Sequence, residues 1–254
     1  MKMTKQIMVL TALLMSASIN SQASTIYDFT NGGTSYTQVN GSGFGNGLDF
    51  GDMTATAWAT TGVPTGSNSL IDQAQIQQWG TGLGACNKDE GLAFGGCNTN
   101  SEHQVDNLGD DDYVLFTFDS LVQFENIKID PFFYSDRDVS FWIGNISSSG
   151  VMMSLDPADL DPGQSNSVGF GDYNQKSFSA GSGLKTVNLT GANGGNIGNA
   201  LLFSARADAG NSYDNDLFKI NSLEVIAVVP VPAAAWLFGS GLLGLAGIAR
   251  RKTN

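Results

Sequence analysis

Histidine is nearly missing from this sequence: His103 is the only one in 254 residues. A Ser-His-Asp triad would have to be built on it, and no Gly-x-Ser-x-Gly turn supplies an obvious nucleophile. A zinc centre would also need more imidazole than one residue offers. Cysteine is almost as scarce, with Cys86 and Cys97 alone, so a thiolate metal site lacks further partners. Basic residues are few. Of 12 Lys and Arg, five (Lys2, Lys5, Arg250, Arg251 and Lys252) lie at the two ends; the part between keeps 7 against 24 Asp and Glu, a net charge of −17. That sign repels nucleic acid, and the Lys/Arg clusters that neutralise phosphates are absent, so nucleic acid is not expected as a partner. Divalent cations and neutral polysaccharides suit it better.

What is present is apolar and glycine-rich: 41% hydrophobic residues, 10% aromatic, only 14% charged, and 32 glycines. This composition suits short strands joined by tight turns. Period-two or short apolar runs rich in β-formers predict strands over Thr25 to Thr30, Met53 to Thr60, Ala74 to Trp79, Tyr113 to Phe118, Leu121 to Ile129, Val139 to Ile143, Leu184 to Leu189, Leu201 to Ala205 and Leu217 to Ile226. Turn-rich clusters lie between them, among them Gly41-Ser42-Gly43, Pro157 to Gly163 and Gly191 to Gly198. Helical signals stop at single turns over Ser69 to Gln73 and Pro157 to Leu160. The expectation is all-β: one antiparallel β-sandwich or jelly-roll-like domain over 24–227. Phe116, Phe118, Ile127, Ile129, Phe141, Ile143, Leu202 and Ile220 should fill its core. No fixed-period repeat or linker divides it.

The two ends read as address labels. In residues 1–23, Lys2 and Lys5 precede the apolar run Ile7 to Met15, and Ser21-Gln22-Ala23 offers small residues to a signal peptidase, so cleavage is expected after Ala23. Residues 228–254 carry Pro230-Val231-Pro232, the uncharged apolar stretch 233–249 and the basic cluster Arg250-Arg251-Lys252. At about 1.5 Å per residue, that stretch forms a minimal transmembrane helix of roughly 26 Å, with the basic cluster held in the cytoplasm. This order of proline motif, apolar helix and basic cluster resembles the PEP-CTERM sorting signal, with Val231 where the family name has Glu. The resemblance spans about 25 residues. It implies recognition by an exosortase, transient anchoring in the inner membrane, removal of the tail and transfer to the cell surface or extracellular space. It implies nothing about the fold of the rest.

Export places Cys86 and Cys97 in an oxidising compartment, where a disulfide between them is the economical reading. Next to them runs the densest polar stretch of the chain, Glu102 to Tyr113. Gly82-Leu83-Gly84 followed by His103-Gln104-Val105-Asp106-Asn107 and an acidic turn resembles a pattern recurring in exosortase-dependent surface proteins, and implies a shared extracellular β domain without an established activity. Physically, Asp106, Asp110 and Asp112 offer the hard oxygen ligands that Ca²⁺ prefers, while turn capping by Asp and Asn accounts for the same residues. Asp136 with Asp138, and Asp214 with Asp216, carry the same ambiguity. Trp58, Trp79, Tyr134 and Trp142 could line a sugar-binding face or fill the core. No catalytic residue is singled out, and no cofactor other than calcium is suggested. The leading expectation is a non-enzymatic surface or matrix protein associated with exopolysaccharide. The alternatives are a calcium-dependent carbohydrate-binding module and a secreted glycan-acting enzyme.

Overall fold

The computed structural model describes residues 23–32, 44–61, 70–88, 104–107, 110–131, 137–164, 166–178, 183–205, 216–228 and 240–241. Thirteen strands follow in order: β1 (Ser24–Asp28), β2 (Gly47–Asp49), β3 (Met53–Thr61), β4 (Leu70–Gln73), β5 (Gln75–Trp79), β6 (Gly82–Cys86), β7 (Val105–Asp106), β8 (Asp112–Pro131), β9 (Val139–Gly144), β10 (Asn174–Lys176), β11 (Lys185–Asn188), β12 (Ile197–Ala205) and β13 (Leu217–Ala227). Three short 3₁₀ turns, Thr30–Gly32, Ser149–Ser154 and Pro157–Leu160, interrupt them. All pairings are antiparallel. The protein is therefore an all-β, antiparallel fold.

β8 organises it. The runs read separately as Tyr113 to Phe118 and Leu121 to Ile129 are one 20-residue strand, whose exposed Asp119-Ser120-Leu121 step marks where its partners change. Before that step β8 lies between β3 and β12; after it, β13 takes one side, and β11 and the start of β12 take the other. An extra residue, Glu125, sits between the pairs Phe124↔Val225 and Asn126↔Glu224. Such a bulge resets which side chains point inward, so Val122 and Phe124 and then Ile127 and Ile129 are all buried.

Aromatic contacts knit the central core. Phe29 stacks on Phe116 at 5.6 Å, Phe203 meets Phe218 edge-on at 5.8 Å, and Phe118 meets Phe124 edge-on at 5.6 Å. Because alternate residues face opposite sides of a strand, Val114, Phe116 and Phe118 enter this central core while Tyr113 and Leu115 point away from it. Those outward residues are covered too. Met152, Leu155, Leu160 and Phe170, from the segment carrying two of the 3₁₀ turns, pack on Trp58, Tyr113, Trp142 and Leu202. Each buried side chain of this size contributes about 1.5–3 kcal/mol. Burial on both faces explains why all six residues of β9 are inaccessible. The turn at Pro157–Leu160 is held by a capping box, Asp156 accepting from Ala158 N at 3.0 Å and Asp159 from Asp156 N at 3.0 Å.

The expected core residues are all buried, although Leu202 belongs to the outer cluster, not the central one. The helical turn expected over Ser69 to Gln73 is corrected: Leu70–Gln73 is strand β4, laddered to β3 through pairs such as Trp58↔Gln73 and Ala59↔Asp72. Among the described residues no helix is long and apolar enough to cross a membrane. The expected signal segment and sorting tail, apart from Ala23 and residues 228, 240 and 241, lie outside those residues.

Candidate functional site

The acidic motif sits at one end of the sheet, and its neighbours use their carboxylates to tie strands together. Asn107, just after β7, donates from Nδ2 to Asp216 Oδ2 at 3.1 Å, and Asp216 N donates back to Asn107 Oδ1 at 2.9 Å. Asp216 Oδ1 accepts from Asp138 N at 2.7 Å. Asp138 in turn accepts from Ser177 Oγ at 2.9 Å and Phe178 N at 3.2 Å. Two buried carboxylates thus connect β7, β13, β9 and the segment after β10. Hydrogen bonds to an ionised acceptor are the strong kind. Asp138 and Asp216 thus carry hydrogen bonds between strands; Asp136 and Asp214 lie outside the described residues.

Of the expected calcium ligands, Asp106 lies buried in β7 opposite Leu217, Asp110 is half-buried before β8, and Asp112 is fully buried as the first residue of β8. The turn between them is fixed to the end of β3: Thr60 N donates to the Asp111 carbonyl at 2.9 Å, and Asp111 N donates to Thr60 Oγ1 at 2.8 Å. Ser204 Oγ donates to the Asp112 carbonyl at 2.8 Å. Among the described residues no group of three or more acidic, histidine or cysteine side chains is arranged for a metal. His103 falls outside the described residues, as do the expected sorting residues Pro230, Val231, Pro232, Arg250, Arg251 and Lys252. Cys86 ends β6 fully buried and is not a free thiol; Cys97 is outside the described residues.

Of the aromatics expected to line a sugar-binding face or fill the core, Trp58, Trp79 and Trp142 do not form an open face, and Tyr134 lies outside the described residues. Trp58 and Trp142 are buried in the outer cluster. Trp79, half-buried, has one ring face occupied by the Lys219 ammonium at 4.5 Å from its centroid. Burial brings the Lys219 amine down to about 8, partly opposed by Asp130, its cross-strand partner. Burial pushes the Asp130 carboxyl upward, with Lys219 opposing.

A cleft of about 590 Å³ opens instead where three turns meet, lined by Pro162, Gly163, Gln164, Asp172, Tyr173, Asn193 and Gly194. Asn174 builds it. Its Oδ1 accepts from Asn193 N at 2.6 Å, and its Nδ2 donates to the Asp172 carbonyl at 2.8 Å. Gly194 takes φ +80°, where a Cβ would also lie only 3.2 Å from Asp172 N, so a side chain there would strain the turn. Tyr173 is locked by the sheet beneath: its ring meets Trp142 edge-on at 5.5 Å, and its hydroxyl shares hydrogen bonds with Ser140 Oγ at 3.0 Å and Gln175 Oε1 at 3.3 Å. One aromatic ring, one carboxylate and two amides line the cleft, with no cation among them. No family model and no curated protein matches the chain. The cleft was not foreseen. Its turns, Pro157 to Gly163 and Gly191 to Gly198, were recognisable in the sequence as turns, but nothing there indicated that they converge.

Proposed function

We propose that the chain is an exported cell-surface or extracellular-matrix protein, processed by an exosortase, without catalytic activity, and associated with extracellular polysaccharide. Its order in the sequence is a signal peptide over 1–23 for signal peptidase, a jelly-roll-like β-sandwich over 24–227, and the tail 228–254 that resembles the PEP-CTERM signal. The single observation carrying this reading is that tail, with Pro230-Val231-Pro232, an uncharged apolar stretch and Arg250-Arg251-Lys252 in the sorting order. A disulfide between Cys86 and Cys97 belongs to the same reading, since the exported domain matures in an oxidising compartment.

The cleft at Tyr173 supports polysaccharide as the partner. A fixed aromatic ring beside Asp172, Asn193 and Gln164 matches the apolar faces and hydroxyls of neutral sugars, and the absence of lining cations disfavours anionic groups. Asp138 and Asp216, the best-defined buried carboxylates, are engaged with backbone N–H groups, which suits a structural role better than acid–base chemistry. Calcium through Asp106, Asp110 and Asp112 is the second reading, favoured by the burial of Asp106 and Asp112. The test is to immobilise neutral polysaccharides, pass the exported protein over them, and assay both retention and released sugar. Retention without product, weakened by Tyr173→Ala, is expected. Released oligosaccharide would make the protein a glycan-acting enzyme, and retention lost with a chelator would make it a calcium-dependent module.

A further inference from the structure

Where β13 ends, the outer face of the sheet turns apolar. Ile197 of β12 and Ile226 of β13 flank Gln123 of β8 in one cross-strand row, which Ser24 of β1 extends beside Ile226. Side chains directly opposite one another share a face, as do residues two apart along a strand. Leu121 and Ile26 therefore lie on the face of that row. Ile26, Leu121 and Ile197 are 63%, 45% and 50% exposed, and Ile226 is half-buried. The interleaved Val122, Phe124 and Val225 point into the core. One row further along, Ile26 stands opposite Glu224 at the edge of the patch, and the same face becomes polar, with Asn126 Nδ2 donating to Glu224 Oε2 at 2.9 Å.

This apolar end is also where the chain leaves the sheet. Val228 N donates to the Leu121 carbonyl at 3.2 Å, so strand pairing persists to Val228. Ala233, the first residue of the apolar stretch, follows five residues later, a reach of no more than about 18 Å. Aliphatic side chains clustered on a surface usually mark a contact, and here the bilayer is within that reach.

We propose that this end of the sheet, through Ile26, Leu121, Ile197 and Ile226, rests on the lipid bilayer surface while the tail is inserted. The inference depends on reading 233–249 as the membrane-spanning stretch. The contact is apolar insertion among zwitterionic headgroups, because Glu224 and Glu125 border the patch and the exported part carries a net −17, which anionic lipid would repel. It fixes the domain's orientation and keeps Pro230 to Pro232 at headgroup level, where a membrane-embedded enzyme works.

The test uses the full chain in phosphatidylcholine vesicles, with single tryptophans added as Leu121→Trp or Ile197→Trp. Met153→Trp serves as control, since Met153 is 54% exposed in the 3₁₀ turn Ser149–Ser154, away from the patch. Lipids with brominated acyl chains quench tryptophan on contact. After subtraction of the parent signal, emission at positions 121 and 197 should fall about twofold or more, and at 153 it should not change. A probe at Ile26→Trp should lose its quenching when Leu121→Glu and Ile197→Glu are combined, with the melting temperature confirming that the variant is folded. If the full chain does not float with vesicles, the tail reading itself fails and this inference with it. If it floats and Trp236 is quenched while the probes at 121 and 197 are not, this inference alone is overturned. Probe emission that instead depends on protein concentration would assign the patch to a second copy of the chain and equally overturn it.

Discussion

Lys219 holds its charge where water is scarce: it is 7% exposed, above the ring of Trp79, with the cross-strand Asp130 offsetting part of the burial. A cation over an aromatic face recovers part of the desolvation cost, yet burial still brings the amine from 10.5 to about 8. Because the folded-state value is the lower one, the unfolded chain binds more protons between about pH 8 and 10.5. Stability attributable to this group therefore rises with pH across that window, and below pH 8 the charged lysine destabilises the fold. Lys219→Met keeps an apolar stem against Trp79 and removes the charge. It should stabilise the protein at pH 7 by on the order of 2 kcal/mol, with the gain fading as pH approaches 10.5. Urea denaturation at a series of pH values measures this; a gain independent of pH would mean that packing, not charge, sets it. The neighbouring turn is equally constrained. Gly82 has φ +133°, and a Cβ there would come within 2.3 Å of the Ile220 carbonyl oxygen, so only glycine lets the β5–β6 hairpin lie against β13.

Strands depend on one another more than on their own sequences, and β7 is the extreme case, two residues long and, among the described residues, paired only to the start of β13. The Asn107–Asp216 exchange and the bond from Asp138 N to Asp216 hold it there. Asp216→Ala removes the acceptor for Asn107 Nδ2 and Asp138 N in a buried setting. It should cost about 3 kcal/mol, whereas Asp216→Asn, which keeps one acceptor oxygen, should cost less. Denaturant midpoints with unchanged slopes would measure both losses; equal losses would indicate that the charge, not the acceptor geometry, is what β7 needs. Dependence of this kind also explains what could be read in advance. Long runs with alternating apolar residues, such as Met53 to Thr60 and Leu217 to Ile226, are strands as expected, because periodicity reports a buried face directly. β2, β6, β7 and β10 are not legible in the sequence: two or three residues, or a glycine-rich Gly82-Leu83-Gly84, carry no period, and they are strands because neighbours supply the ladder. β4 was mistaken for a helical turn because four residues, Leu70–Gln73, cannot separate the two periods. At the site level, the sequence showed Asp106 to Asp112 as a polar stretch but not that Asp216, some hundred residues later, would bond beside it. The Tyr173 cleft was illegible because its lining comes from three turns.

For the whole molecule, the distribution of charge supports the proposed route. Residues 24–228 carry all 24 acidic groups, the positive charges of the ends are grouped in Lys2 and Lys5 and in Arg250-Arg251-Lys252, and the stretch 233–249 carries none. β1 and β13 pair from Ser24↔Ile226, so the segments that follow the proposed signal and precede the proposed tail meet at one end of the sheet. In the proposed route the domain is translocated and folds outside the inner membrane. The three basic residues then stop the chain, because each charge at the bilayer centre costs about 2.5–3.5 kcal/mol on insertion scales. The proline motif is left at the outer surface, where the exosortase cuts. Two changes should therefore fail in different ways. Replacing Arg250, Arg251 and Lys252 by Gln weakens arrest, and unprocessed chain with its apolar stretch intact should leave the membrane fraction. Replacing Pro230 and Pro232 by Ala leaves arrest intact, and full-length chain should accumulate in the membrane. Mass spectrometry of the tail peptide in each fraction separates the two. Wild-type protein that keeps its residues through Asn254 in cells with an active exosortase would make the stretch a permanent anchor. The same experiment dates the apolar patch at Ile26, Leu121 and Ile197: if it serves only the anchored form, its substitution should slow cutting at the proline motif and leave the stability of the released domain unchanged.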